Sequence, residues 1–214
     1  MPDTHVATPD PMLDPVADPA DELALALAAD RLFLSARTPQ SWSDRPVPVE
    51  TLHRLYRLVR QAPTAFNGSP ARFVFLSSPE AKERLRPALS RGNHAKLKAG
   101  AIAIVAYDRR FFEHLPFLSP HYDPSPMFVD EPSLAETTAF RNGTLQAGYL
   151  ILAARLLGLD AGPMSGFDAA AVDAEFFADG RLRTNLLVAL GHADGTPPRP
   201  RAPRLDVSQA VAVL

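Results

Sequence analysis

The sequence predicts an α+β fold, a small sheet wrapped by helices. Three observations lead there. Only three segments read as strands, at residues 71–78, 101–108 and 184–193, which is too few for a doubly wound sheet. Helix-patterned segments fill most of the remainder. The 214 residues, 46% hydrophobic and 21% charged, suffice for one ordinary core.

Residues 1 to about 20, "MPDTHVATPDPMLDPVADPA", are rich in Pro and Asp and read as a disordered extension, leaving 21–214 as the folded domain. From Asp21, "DELALALAADRLFLSAR" predicts a helix with Leu23, Leu27, Leu32 and Phe33 on its buried side. In "VPVETLHRLYRLVRQ", Leu52, Leu55, Tyr56 and Val59 follow helical spacing, Pro48 suits the first turn, and Pro63 stops the helix. "ARFVFLSS" is a strand, and Ser78, Pro79 and Glu80 open a short helix. "AIAIVAYD" is apolar throughout, as in a strand buried on both faces.

Residues 108–132, crowded with prolines and aromatics, read as a lid or binding loop. Ser133 and Glu136 suggest a capping box for the longest helix, which ends near Gly158 and mixes small with large apolar residues. Asp168 suits the cap of another helix, and "TNLLVALGHA" is the third strand. The Pro- and Arg-rich tail ends in an apolar stretch, which suggests packing on a partner subunit.

Composition narrows the function. With no cysteine there is no disulfide framework, thiolate metal site or Cys nucleophile, and a reducing cytoplasmic location is compatible. A net charge of −2 gives no field drawing the chain to nucleic acid or an anionic membrane. No apolar run approaches a membrane span of about 20 residues, and no secretory signal pattern is present. "GPMSGF" lacks the nucleophile-elbow spacing, the six histidines suggest no metal site, and neither phosphate-loop motif occurs. No catalytic residue stands out.

Four fragments remain: "ARTPQSW", "APTAFNGSP", "GPMSGF" and "RPRAPR". In this order and spacing they resemble the nitroreductase-like flavoproteins. "AKERLRPALSRGN", "AETTAFRN" and "LGLDAGPMSGFD" bring the resemblance closest to the malonic semialdehyde reductase branch of pyrimidine degradation. It runs from about Leu32 to the C-terminus. It implies a small mixed sheet wrapped by helices, an intertwined homodimer, and FMN at the dimer interface.

The resemblance also assigns residues. Arg37, with Thr38 and Gln40, and the tail residues Arg199 and Arg201 would hold the FMN phosphate, for which converging guanidiniums are suited. The family often has Arg or Lys where Gln40 stands. Pro63, Thr64, Ala65 and Asn67 would line the ribityl chain and ring edge, although "PTAFNG" alone reads equally as a helix-to-strand turn. Pro163, Met164, Ser165 and Gly166 would face the opposite flavin edge, where Ser165 stands in place of a common acidic residue. Asn93 and Lys96 would meet the pyrimidine end. Arg72 and Arg141 are the candidates for a substrate carboxylate.

The implied activity is ping-pong hydride transfer from NADH or NADPH to malonic semialdehyde, giving 3-hydroxypropionate. A broad nitroaromatic or quinone reductase and a flavin-binding protein without turnover are the alternatives.

Overall fold

The computed structural model describes residues 18–214, which form two units, residues 18–36 and 37–214. The expected extension lies outside the described residues except for 18–20. The first unit is helix α1, Pro19–Ala29, followed by a π-helical turn, Asp30–Leu34. Asp18 caps α1 by accepting from Ala20 N at 2.9 Å. The expected buried side of this helix is not buried: Leu23 is 61% and Leu27 62% exposed, and Phe33 is exposed too. An eleven-residue helix offers its apolar stripe no cover of its own.

In the second unit the elements run α2 (Val49–Val59), β1 (Ala71–Leu76), α3 (Pro79–Leu85), β2 (Ala101–Asp108), α4 (Leu115–Leu118), α5 (Ser125–Asp130), α6 (Pro132–Leu156), β3 (Asp160–Met164), α7 (Ala169–Phe176), β4 (Leu182–Gly191) and α8 (Val207–Ala210). The strands form one sheet of order β1-β2-β4-β3, antiparallel at every pairing. The expected mixed sheet is therefore not what these four strands make. The strand missing from the sequence reading is β3, "DAGPM". Its Gly and Pro suppress strand propensity, but an edge position tolerates a residue that cannot donate to the ladder.

β2 is buried along its whole length, as its composition requires. Alternation sorts its residues between two cores. Ala101, Ala103 and Val105 pack with Leu52, Leu55 and Val59 of α2 and Ala147, Leu150 and Ala154 of α6. Ile102, Ile104 and Ala106 face the other layer, with Trp42, Leu85, Val172 and Phe177. β4 divides likewise, Val188 and Leu190 to the first core, Leu187 and Ala189 to the second. Small residues let α6 lie close over the sheet; a Cβ on Gly143 would meet Tyr107 Cβ at 3.2 Å.

The expected side-chain caps form with one exception. Ser78 accepts from Ala81 N at 3.1 Å and Asp168 from Ala171 N at 3.1 Å. α6 closes with Gly158 at φ 80 and paired bonds, Leu159 N to Ala154 O at 2.9 Å and Gly158 N to Arg155 O at 3.0 Å. The exception is the expected capping box at Ser133 and Glu136. Pro132 starts α6 two residues before the Leu134 that a Ser133 cap would give, no side chain caps it, and Glu136 instead accepts from Tyr107 Oη at 2.6 Å and Arg109 Nε at 2.8 Å. Pro48, expected within the first turn of α2, is its cap residue, and Tyr56 is half exposed against Phe73. Residues 108–132 are not an open loop. They form short helical turns around a third core of Phe111, Leu115 and Phe128, beneath Tyr107 and Ala139.

The central strands set the stability of this unit. Ile104→Ala removes a fully buried side chain and is expected to cost about 2–5 kcal/mol. Urea unfolding should show a lower midpoint at unchanged slope.

Candidate functional site

The candidate residues fall into two groups at opposite edges of the sheet. The first gathers around edge strand β3. Arg37 Nη2 donates to Arg199 O, Gln40 Nε2 to Pro197 O at 2.7 Å, and Arg199 Nε to Gln40 Oε1 at 3.2 Å. The start of the tail is fixed by Ser41, whose hydroxyl donates to Asp194 Oδ2 at 2.6 Å and contacts Thr196 Oγ1 at 3.0 Å. Bonds from the Ser41 hydroxyl and from Thr196 pull the Asp194 carboxyl down to about 2. These contacts lay residues 194–199 beside residues 37–41.

Arg201 lies within electrostatic reach of Arg155, in the last turn of α6. Partial burial and the like charge of Arg201 together lower the Arg155 pKa. Arg155 was missed by sequence reading. A cation at a helix C-terminus complements the macrodipole and so looks purely structural; only the returning tail makes it part of an arginine cluster.

Thr38 and the 160s segment meet directly. Thr38 Oγ1 reaches Ala161 O at 3.4 Å, and a Cβ on Gly162 would sit 3.1 Å from Trp42 Cζ2 and 3.2 Å from Thr38 Cγ2. Beyond the strand, Gly166 O accepts from Ser90 N at 3.0 Å, Ser90 Oγ at 2.8 Å and Asn93 Nδ2 at 2.9 Å. A Cβ on Gly166 would lie 2.7 Å from Ser90 Oγ, so glycine is required for this close approach. Lys96 Nζ reaches Pro163 O at 3.5 Å, and burial lowers its pKa. Pro163, Ser165 and Gly166 are exposed, but Met164 is only 4% exposed and belongs to the core, so its side chain is not available to a ligand.

The second group precedes edge strand β1. Ala65 N donates to Asn142 Oδ1 at 2.8 Å, Ser69 N to Thr64 Oγ1 at 3.0 Å, and Asn67 Nδ2 to Leu118 O at 2.8 Å. Phe66, Asn67 and Ser69 take left-handed φ values of 54, 55 and 41. Each such non-glycine residue costs roughly 1–2 kcal/mol, so the loop is held in shape by its surroundings. A Cβ on Gly68 would strike the Phe111 ring at 2.9 Å. Phe66 packs on Tyr122 and Phe128, with centroids 6.2 and 6.0 Å away. Pro63 is exposed beside it.

Arg72 anchors this loop from β1. It donates to Ser69 O and Ala71 O, both at 3.0 Å, and to Asp108 Oδ2 at 2.8 Å. Asp108 is buried and also accepts two bonds from Arg181, at 3.0 and 2.9 Å. Burial pushes its pKa up, but the bonds from Arg181 and Arg110 N and the two guanidinium charges outweigh this and hold the carboxyl below its ordinary value. Three of the five Arg72 donors are thus engaged by protein acceptors. Arg141 projects from α6 into a groove of about 560 Å³ shared with Phe140, Thr144 and Leu145. Neither arginine joins the β3 group.

Comparison with known proteins gives a consistent result. Residues 34–192 match the family model described as the nitroreductase family. A protein of Burkholderia lata described as an NADH dehydrogenase/NAD(P)H nitroreductase is 58% identical over 180 residues, which is 84% of this chain and 92% of that one. Among solved structures, a Bacillus subtilis nitroreductase superposes with a TM-score of 0.74 at 23% identity, over 90% of this chain and 100% of the other. A nitroreductase from Exiguobacterium sibiricum in complex with FMN gives 0.76 at 18% identity, over 86% and 96%.

Asp108→Asn leaves two guanidiniums without their buried counter-charge and is expected to cost about 3 kcal/mol at neutral pH. The folded carboxyl binds its proton more weakly than the unfolded one, so this stabilisation is present above the ordinary Asp pKa and is lost as pH falls. Denaturation of wild type and variant from pH 7 downward should show the gap closing below about pH 4.

Proposed function

The chain belongs to the nitroreductase family, and on that basis we propose that it is an oxidoreductase using FMN and NAD(P)H. The observation that carries the cofactor reading is the gathering of arginines along a fixed tail. Arg37 donates to the Arg199 carbonyl, and Arg201 adds its charge near Arg155. Guanidiniums gathered along a backbone this well fixed suit a dianionic phosphate.

The residues around β3 fit the rest of FMN. Ser165 and Gly166 expose their backbone there, and Lys96, held only by a 3.5 Å contact with Pro163 O, supplies a donor beside it. When bound, FMN relays two electrons between NAD(P)H and an acceptor, one substrate leaving before the next enters. Lys96 would favour negative charge on a ring edge beside it, and the tail arginines would hold the phosphate. Thr38 and Gln40 brace that tail.

Pro63, Thr64, Ala65 and Asn67 stand at the β1 edge, away from these groups, so their role at the same cofactor requires a second copy of the chain. Three features support a homodimer. α6 exposes Leu145, Tyr149 and Leu156 on a face turned away from the sheet. β1 is an open edge, which proteins normally cover. The tail is extended at Val211 and leaves Val211, Val213 and Leu214 exposed.

For the acceptor, the surroundings of Asn67 favour a flat, unsaturated molecule such as a quinone or nitroarene. Phe66, Phe117 and Tyr122 are exposed there, at 42%, 85% and 64%. Reduction of malonic semialdehyde to 3-hydroxypropionate is the second reading. It rests on the motif resemblance and, with Arg72 engaged, needs Arg141 for the substrate carboxylate.

The purified protein is expected to carry yellow FMN that NADH bleaches in the absence of oxygen; a colourless protein that takes up no added FMN refutes the reading. Bound flavin that NADH leaves yellow points instead to a flavin-binding protein without turnover. Arg199→Ala should weaken FMN by roughly tenfold or more. Steady-state kinetics then separate the acceptors. If malonic semialdehyde is the substrate, Arg141→Ala raises its KM and leaves quinone reduction unchanged.

A further inference from the structure

The chain's lysines are Lys82, Lys96 and Lys98, all in one short stretch; every other cationic side chain but histidine is arginine. The ion pairs among the described residues use arginine or histidine and never lysine. Lys82 Nζ donates to Ala99 O at 2.6 Å, and burial lowers its pKa. Lys82 and Lys98 face a cleft of about 780 Å³ between α3 and the turn at 91–98, with Trp42, Pro79, His94 and Leu97. Of its two carboxylates, Glu83 is held by Arg86 through bonds of 2.5 and 2.6 Å, which leaves Asp44 against two lysines.

We propose that this cleft binds a small carboxylate- or phosphate-bearing molecule, its anionic group between Lys82 and Lys98 and its carbon portion against Leu97 and Pro79. A half-buried ammonium with only a carbonyl acceptor gains most from an anion that also displaces water. The volume lies in the range of small-molecule sites. The same turn carries Asn93 and Lys96 toward Gly166 and Pro163, so occupancy of the cleft reaches that edge of the site. An effect on the cofactor rests on the FMN reading; binding in the cleft does not.

The test uses the protein as purified, with FMN added to fill the arginine site. Inorganic phosphate and citrate are titrated separately, with sodium chloride holding ionic strength constant. Trp42 is the chain's sole tryptophan and lines the cleft, so its fluorescence reports occupancy. Acylation of Lys82 and Lys98, read by mass spectrometry, reports protection. A saturable response with protection of both lysines is expected, from phosphate if the ligand is a phosphate and from citrate if it is a carboxylate.

Lys98 is exposed, so Lys98→Glu should melt like wild type while weakening binding by roughly tenfold or more. A response that never saturates, that chloride reproduces, or that persists undiminished in Lys98→Glu overturns the proposal. A phosphate response insensitive to Lys98→Glu assigns the binding to the arginine cluster. A protein that takes up no added FMN refutes the FMN reading alone, because neither the lysine protection nor the Lys98→Glu comparison depends on bound flavin.

Discussion

Burial of β2 along its whole length, and of β4 from Leu187 to Gly191, leaves the edges of the sheet as the places for polar groups. Every residue of β2 is buried, and neighbours along it alternate between two apolar cores. A polar ligand-binding group there would be desolvated without a partner, at a cost of a few kcal/mol. The candidate residues accordingly collect beside β3 and before β1. Those two edges lie on opposite sides of the sheet, so the proposed FMN site would need a second chain to include both groups.

Each edge is rigid for a different reason. At β1 the backbone is strained, with Phe66, Asn67 and Ser69 in left-handed conformations. Its shape is set by Asn142, by the Asn67 amide on Leu118 and by Arg72. Arg72 in turn depends on Asp108, the buried carboxylate that it shares with Arg181. At β3 the backbone is relaxed but closely packed. Gly162 lies against Trp42 and Thr38, and Gly166 against Ser90 and Asn93. Strain is tolerated where polar anchors are dense, and close approach occurs where glycine permits it.

Legibility followed how local each signal was. The three apolar strands, the face of α2 and the caps at Ser78 and Asp168 were readable because each depends on residues within a few positions. β3 was not, since Gly162 and Pro163 look like a turn until an edge position excuses them. Ser133 and Glu136 had the spacing of a capping box, but Tyr107 and Arg109, distant in sequence, claimed the glutamate. For Arg72 the charge was legible and its engagement by Asp108 was not.

The sequence by itself determined the α+β class, the small sheet and, through the order of four bland fragments, the family. The first two are matters of periodicity and local residue chemistry, and the third rests on resemblance. Only the tertiary structure decided which cations are neighbours. The tail had to return beside residues 37–41 before the Arg199 carbonyl could accept from Arg37 and Arg201 could approach Arg155. Electrostatics acts across space, and the chain separation of these residues carries no trace of it.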